Sequence, residues 1–262
     1  MSASEVVDKT TIVVGASRGL GRGIAAALSQ AGARVISVSR TETAQALAGG
    51  ADNIRHEIAD GTDPAVAGTL LDRYDPQALV LVAGAAPLVR PLQHQTWETF
   101  SANWHTDVRM TFHWVREALL KPLSPGSRVI VMSSGAALQG SPLSGGYAGA
   151  KATQRFMAAY AQEEADRAGL GVSFTSILPR ITPLTELGRP AVQAYAARSG
   201  QTEEEYMQQM GPPVTPEAAG SAVLELLRAD RSSVALAYLL TGEGLRPIPA
   251  PAPPGPGGAG SR

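Results

Sequence analysis

Cysteine is absent from the 262 residues, which excludes disulfides, thiol catalysis and cysteine-ligated metal. Lysine is almost absent too: only Lys9, Lys121 and Lys151 occur, and arginine carries the rest of the positive charge. The four histidines, His56, His94, His105 and His113, lack ligand-like spacing. His105 and His113 can share a helix face, but no acidic partner is in register, so they read as ordinary helix residues and no metal is expected. A formal charge of −1 leaves no electrostatic footprint for nucleic acid. No apolar run approaches the ~20 residues of a membrane span, and the N-terminus lacks a charged stretch followed by an apolar one. The expectation is a soluble, cytoplasmic protein with no membrane partner.

What the chain does have is alternation. Short apolar, β-branched runs (Thr11–Val14, Arg34–Val38, Leu79–Val82, Arg128–Met132 and Val172–Ile177) are separated by longer alanine- and leucine-rich segments such as Arg22–Ala31. Strands that are apolar throughout need cover on both faces, which predicts a parallel sheet between two helical layers. The expected fold is a single α/β domain over 1–246, doubly wound, in three layers. Residues 184–213, punctuated by Pro190, Gly200, Gly211, Pro212 and Pro213, read either as a mobile substrate lid at the strand ends or as a packing excursion. Their Leu184, Leu187, Tyr195, Tyr206, Met207 and Met210 either suit an apolar substrate or pack the lid helices. From 247 to 262 proline, glycine and alanine dominate, and such a tail is expected to be disordered.

Two motifs carry chemistry. Gly15-Ala16-Ser17-Arg18-Gly19-Leu20-Gly21 follows the first strand and leads into a helix. Glycines there permit a sharp turn and close backbone approach to a pyrophosphate at a helix N-terminus. After the second strand stand Ser39-Arg40-Thr41, with no carboxylate before Glu42. A carboxylate would hold a ribose 2′-hydroxyl, whereas Arg40 and Arg18 suit a 2′-phosphate, so NADP(H) is expected over NAD(H).

The second motif is Tyr147-Ala148-Gly149-Ala150-Lys151, preceded by Ser134. In a helix, Tyr147 and Lys151 share a face one turn apart. The ammonium favours the phenolate and draws the tyrosine from its usual pKa of about 10 toward working pH. A nearby hydroxyl, Ser134, can hold a carbonyl or alkoxide oxygen.

In order and spacing, the glycine loop, Ser134, Tyr147 and Lys151 resemble the short-chain dehydrogenase/reductase family, over residues 8–245. The resemblance implies a Rossmann-type fold and hydride transfer between nicotinamide and a carbonyl or carbinol carbon. It implies Tyr147 as general acid/base, Lys151 tuning it and binding the nicotinamide ribose, and Ser134 orienting the substrate oxygen. It adds Asp60 and Gly61 near the adenine, Ala83 and Gly84 after the fourth strand, and Pro179, Ile181 and Thr182 at the carboxamide. A homodimer or homotetramer, through the helices starting near Trp104 and Tyr147, is also implied.

Three positions depart from the family pattern: Val82 stands for asparagine, Arg180 for glycine, and Asp107 for the asparagine that relays protons to the lysine. Asn103, one turn earlier, is the alternative for that last role. An aspartate at 107 would pair with Lys151 while opposing phenolate formation at Tyr147. The competing expectation is a non-catalytic NADP(H)-binding sensor or assembly subunit.

Overall fold

Residues along the central strands alternate between two apolar layers, and that alternation builds the molecule. In the computed structural model, which describes residues 6–41 and 52–249, β1 (Thr10–Val14) is buried throughout. Val13 faces one cluster with Ile24, Leu28, Val80 and Val223. Ile12 and Val14 face the other, with Leu79, Trp114, Val131 and Phe174. Two apolar faces demand two helical layers.

The remaining strands are β2 (Arg34–Ser39), β3 (Ile54–Ile58), β4 (Ala78–Leu81), β5 (Arg128–Met132), β6 (Ser173–Pro179), β7 (Ala237–Thr241) and β8 (Gly244–Pro247). They form one sheet in the order β3-β2-β1-β4-β5-β6-β7-β8. All neighbours are parallel except β7 and β8, which form a hairpin. The helices are α1 (Gly19–Gln30), α2 (Pro64–Tyr74), α3 (Trp97–Asn103), α4 (Arg109–Leu120), α5 (Ala136–Gln139), α6 (Tyr147–Arg167), α7 (Gly188–Arg198), α8 (Glu203–Met210) and α9 (Pro216–Arg228). α1 and α9 pack closely because Gly220 leaves room: a Cβ there would stand 2.5 Å from the Ala27 Cβ.

The doubly wound, three-layered α/β plan is therefore present. The expected strands lie within a residue or two of the observed ones, while α1 begins three residues before Arg22. Pro247 belongs to β8, and the Ile248 N–H donates to the Ala237 carbonyl, so the start of the stretch read as a tail is pinned to the sheet. Residues 250–262 and Glu42 lie outside the described residues.

The strand order reverses direction at β1 and β4, the place where such sheets open a crevice at their carboxyl ends. The turn after β1 and the segment after β4 meet there: the Gly15 N–H donates to Val38, and the Ala83 N–H to Val14.

Candidate active site

A cleft of about 1040 Å³ runs along these strand ends, from the β2 terminus to the start of α6. Gly15, Ser17, Arg18, Gly19, Leu20, Gly21, Arg40, Asp60, Gly61, Ala83 and Gly84 line one part of it. Ser134, Tyr147, Lys151, Pro179, Ile181 and Thr182 line another. The glycine loop turns as its sequence demands. Gly15 has φ +98°, and a Cβ would lie 2.5 Å from the Ala83 nitrogen. No L side chain is accommodated there without moving the crevice wall.

At the β2 end, Arg40 is exposed. The Asp60 carboxylate accepts from the Thr62 N–H and hydroxyl, each at 2.9 Å. Those bonds hold its carboxyl below the usual range, with Arg40 and Arg109 contributing more weakly. Arg18 is already engaged, in an exposed ion pair with Glu186, which follows β6.

At the other end, the Gly146 N–H donates to the Phe100 carbonyl, 3.1 Å away, fixing the start of α6. Tyr147 is the first residue of that helix and Lys151 lies one turn on. The ammonium stands 5.6 Å from the centre of the Tyr147 ring and donates to the Met132 carbonyl at 3.3 Å. The adjacent serines are distinguished by their bonds. Ser133 donates to the Lys151 carbonyl at 2.6 Å and is buried. The half-buried Ser134 hydroxyl accepts from the Ala136 N–H at 3.2 Å and retains its proton for the cleft.

Asp107 and its alternative Asn103 do not line the cleft, whereas the other catalytic and cofactor-site residues singled out from the sequence do. Asp107 lies beneath Lys151, fully buried, with Oδ2 3.1 Å from the ammonium. Its Oδ1 accepts from the Ala85 N–H at 2.8 Å and from Asn103 at 3.3 Å. Gly84 makes the approach possible, since a Cβ there would come within 2.8 Å of Oδ2. α3 and α4 are parts of one continuous helix joined by a π turn, Trp104–Val108. That wide turn carries Asp107, and such turns recur at functional sites. The Asp107 carbonyl accepts from Gln154 at 3.2 Å, and Gln154 also donates to Thr111 at 2.6 Å.

Burial alone would disfavour the Lys151 ammonium. The Asp107 carboxylate, and then negative charge on the Tyr147 oxygen, outweigh it, and the lysine pKa lies above its ordinary value. Lys151 is a fixed positive charge at the floor of the cleft.

Asn103 holds Asp107 in place and is bonded also to the Ala85 carbonyl at 2.7 Å. Sequence reading missed Gln154 and Glu186. Gln154 has no signal beyond being a polar residue on a helix face, and Glu186 meets Arg18 only through the tertiary fold. In the 184–213 segment, the Tyr195 hydroxyl is hydrogen-bonded to Ser141 at 2.5 Å and accepts from the Leu143 N–H at 3.2 Å. This tyrosine fastens α7 to the loop before α6.

Comparison with known proteins identifies the family and the fold. Residues 9–196 match the family described as short chain dehydrogenase. A D-beta-hydroxybutyrate dehydrogenase of Rhizobium meliloti (strain 1021) is 25% identical over 247 residues, covering 86% of this chain and 94% of that protein. A short chain dehydrogenase/reductase of Macrophomina phaseolina (strain MS6) is 33% identical over 153 residues, 53% of this chain and 87% of that one. The crystal structure of a short chain dehydrogenase from Mycobacterium avium superposes with a TM-score of 0.76 at 24% identity, covering 98% of this chain and 91% of the other. The fold and these matches define a Rossmann-type oxidoreductase. The chain belongs to the short-chain dehydrogenase/reductase family, whose members use a nicotinamide cofactor.

Proposed function

We propose that this protein is an NADP(H)-dependent oxidoreductase acting between a carbonyl compound and the corresponding alcohol. The observation that carries the reading is Lys151, set between the Tyr147 ring and the Asp107 carboxylate at the floor of the glycine-loop cleft. The cleft suits a dinucleotide, because a Cβ at Gly15 would fill the crevice where backbone must approach a pyrophosphate.

Gly15, Ser17, Gly19, Leu20 and Gly21 would cradle the pyrophosphate, and Arg18 and Arg40 the 2′-phosphate. Asp60, Gly61, Ala83 and Gly84 would flank the adenosine side. Pro179, Ile181 and Thr182 would flank the carboxamide, with Lys151 on the nicotinamide ribose. A bound nicotinamide supplies or accepts the hydride. Ser134 holds the substrate oxygen by hydrogen bonding, and Tyr147 donates its phenolic proton to that oxygen as charge develops. Lys151 stabilises the phenolate left behind, and Asp107 keeps Lys151 protonated. Residues 184–213 act as a lid over the substrate end.

The same reading includes self-association in the cytoplasm as a dimer or tetramer. The exposed Trp104, Phe112, Phe156 and Tyr160 on the helices around the site support it.

Tyr147→Phe tests the mechanism. It should lower NADPH-linked turnover by at least about 10³-fold, while the NADPH dissociation constant stays within about threefold. Turnover equal to that of the unaltered protein would remove Tyr147 from the chemistry.

A further inference from the structure

The substrate end of the cleft contains a cation with no ion pair among the described residues. Arg180 follows Pro179 at the end of β6, and its N–H donates to the Leu240 carbonyl at 2.9 Å, which fixes its Cα on the sheet. Gly135, next to Ser134, donates to the Pro179 carbonyl at 2.8 Å. A Cβ on Gly135 would stand 3.7 Å from the Arg180 Cα. Arg180 is thus a neighbour of the serine proposed to hold the substrate oxygen, and it is exposed in the same cleft as Ser134 and Tyr147.

Its charge reaches toward the lid. Burial, and then Tyr195, raise the pKa of the Tyr206 phenol, while the Arg180 guanidinium pulls the other way. Of the other arginines lining the cleft, Arg18 pairs with Glu186 and Arg246 with Glu243, while Arg22 and Arg40 stand at the glycine-loop and β2 end. Arg180 has no ion pair among the described residues. The lining carboxylates are Asp60, at the β2 end, and Glu186, already paired.

We propose that Arg180 selects carbonyl substrates that also carry a carboxylate, binding it while Ser134 and Tyr147 engage the carbonyl oxygen. The proposal rests on the oxidoreductase reading given above. A guanidinium fork offers a carboxylate two parallel donors in one plane, which neither tyrosine nor lysine can supply. The reaction balances without the carboxylate taking part. Hydride from the reduced nicotinamide forms the new C–H bond, the C=O π pair moves to oxygen, and Tyr147 supplies the proton. A hydroxy acid results.

Three oxo acids with different carbonyl-to-carboxylate spacings, pyruvate, acetoacetate and levulinate, are assayed against their uncharged methyl esters with NADPH. In the unaltered protein kcat/KM should favour the acid over its ester by about 10- to 100-fold for at least one spacing. Arg180→Gln should collapse that acid-to-ester ratio toward one, and Arg180→Lys should recover part of it. Esters reduced as well as acids in every pair, or a ratio unmoved in Arg180→Gln, overturns the proposal while leaving the oxidoreductase reading intact. A rise in the NADPH dissociation constant of Arg180→Gln with an unmoved ratio reassigns the arginine to the cofactor. Reduction of none of the six compounds, or of any aldehyde or ketone on a broad panel, despite NADPH binding overturns both.

Discussion

Asp107 Oδ2 stands 3.1 Å from Lys151 Nζ, and both side chains are buried beneath the cleft. Removing one partner of such a pair leaves an uncompensated charge, which costs about 3–5 kcal/mol. Asp107→Ala should show that loss in chemical denaturation at neutral pH, with Asp107→Asn losing less.

The same pair has a pH signature. The Lys151 pKa is raised in the folded protein above its ordinary 10.5. Its contribution is therefore complete below 10.5 and is lost as pH rises through the folded value. Without Asp107, burial dominates and the folded pKa falls below 10.5, which reverses the sign. The stability gap between the unaltered protein and Asp107→Ala should narrow as pH rises from 7 toward 10.5. A gap constant over that range would mean that Asp107 does not govern the lysine's charge.

Arg40→Ser should separate the two dinucleotides. Loss of a guanidinium–phosphate bond predicts a rise in the NADPH KM of about 10- to 100-fold. The NADH KM should change by less than about threefold. Parallel changes for both cofactors would show that Arg40 does not read the 2′-phosphate.

Arg18 bonds Glu186, so Glu186 competes with any phosphate for the same guanidinium. The pair is exposed, with side-chain accessibilities of 64% and 75%, and such pairs contribute under about 1 kcal/mol. Glu186→Gln should accordingly tighten NADPH binding, but by no more than about fivefold. Titration by cofactor fluorescence measures this directly, and weaker binding would assign Glu186 a supporting role instead.

Phe156 and Tyr160 stack on the outer face of α6 with ring centroids 6.2 Å apart, and Phe156 is 49% exposed. Phe156→Glu should shift the assembly toward monomer in light scattering. A monomeric unaltered protein at micromolar concentration would remove the self-association reading.

The parts of this molecule legible in the sequence are those set by local periodicity. β1, β4 and β5 are covered on both faces, so each carries a continuous apolar run, at residues 12–14, 78–81 and 129–132. Tyr147 and Lys151 follow from helical spacing alone. β3 was not legible: Ile54-Arg55-His56-Glu57-Ile58 is a sheet-edge strand whose middle residues are polar and which pairs on one side only. Nor is the closing hairpin of β7 and β8 legible there. Asp107 was placed by family resemblance, but its surroundings come from a segment after β4 and from the same helix one turn earlier. The Arg18–Glu186 contact spans 168 positions, a separation at which no periodic pattern operates.

The π turn that presents Asp107 has a consequence for how this site tolerates change. Each residue advances an α-helix by about 100°, so deleting any one of residues 104–106, just before it, would regularise the helix and swing Asp107 away from Lys151. The site is consequently sensitive to the length of this helix as well as to the residue at 107: a single-codon deletion there should displace a carboxylate that no substitution has touched.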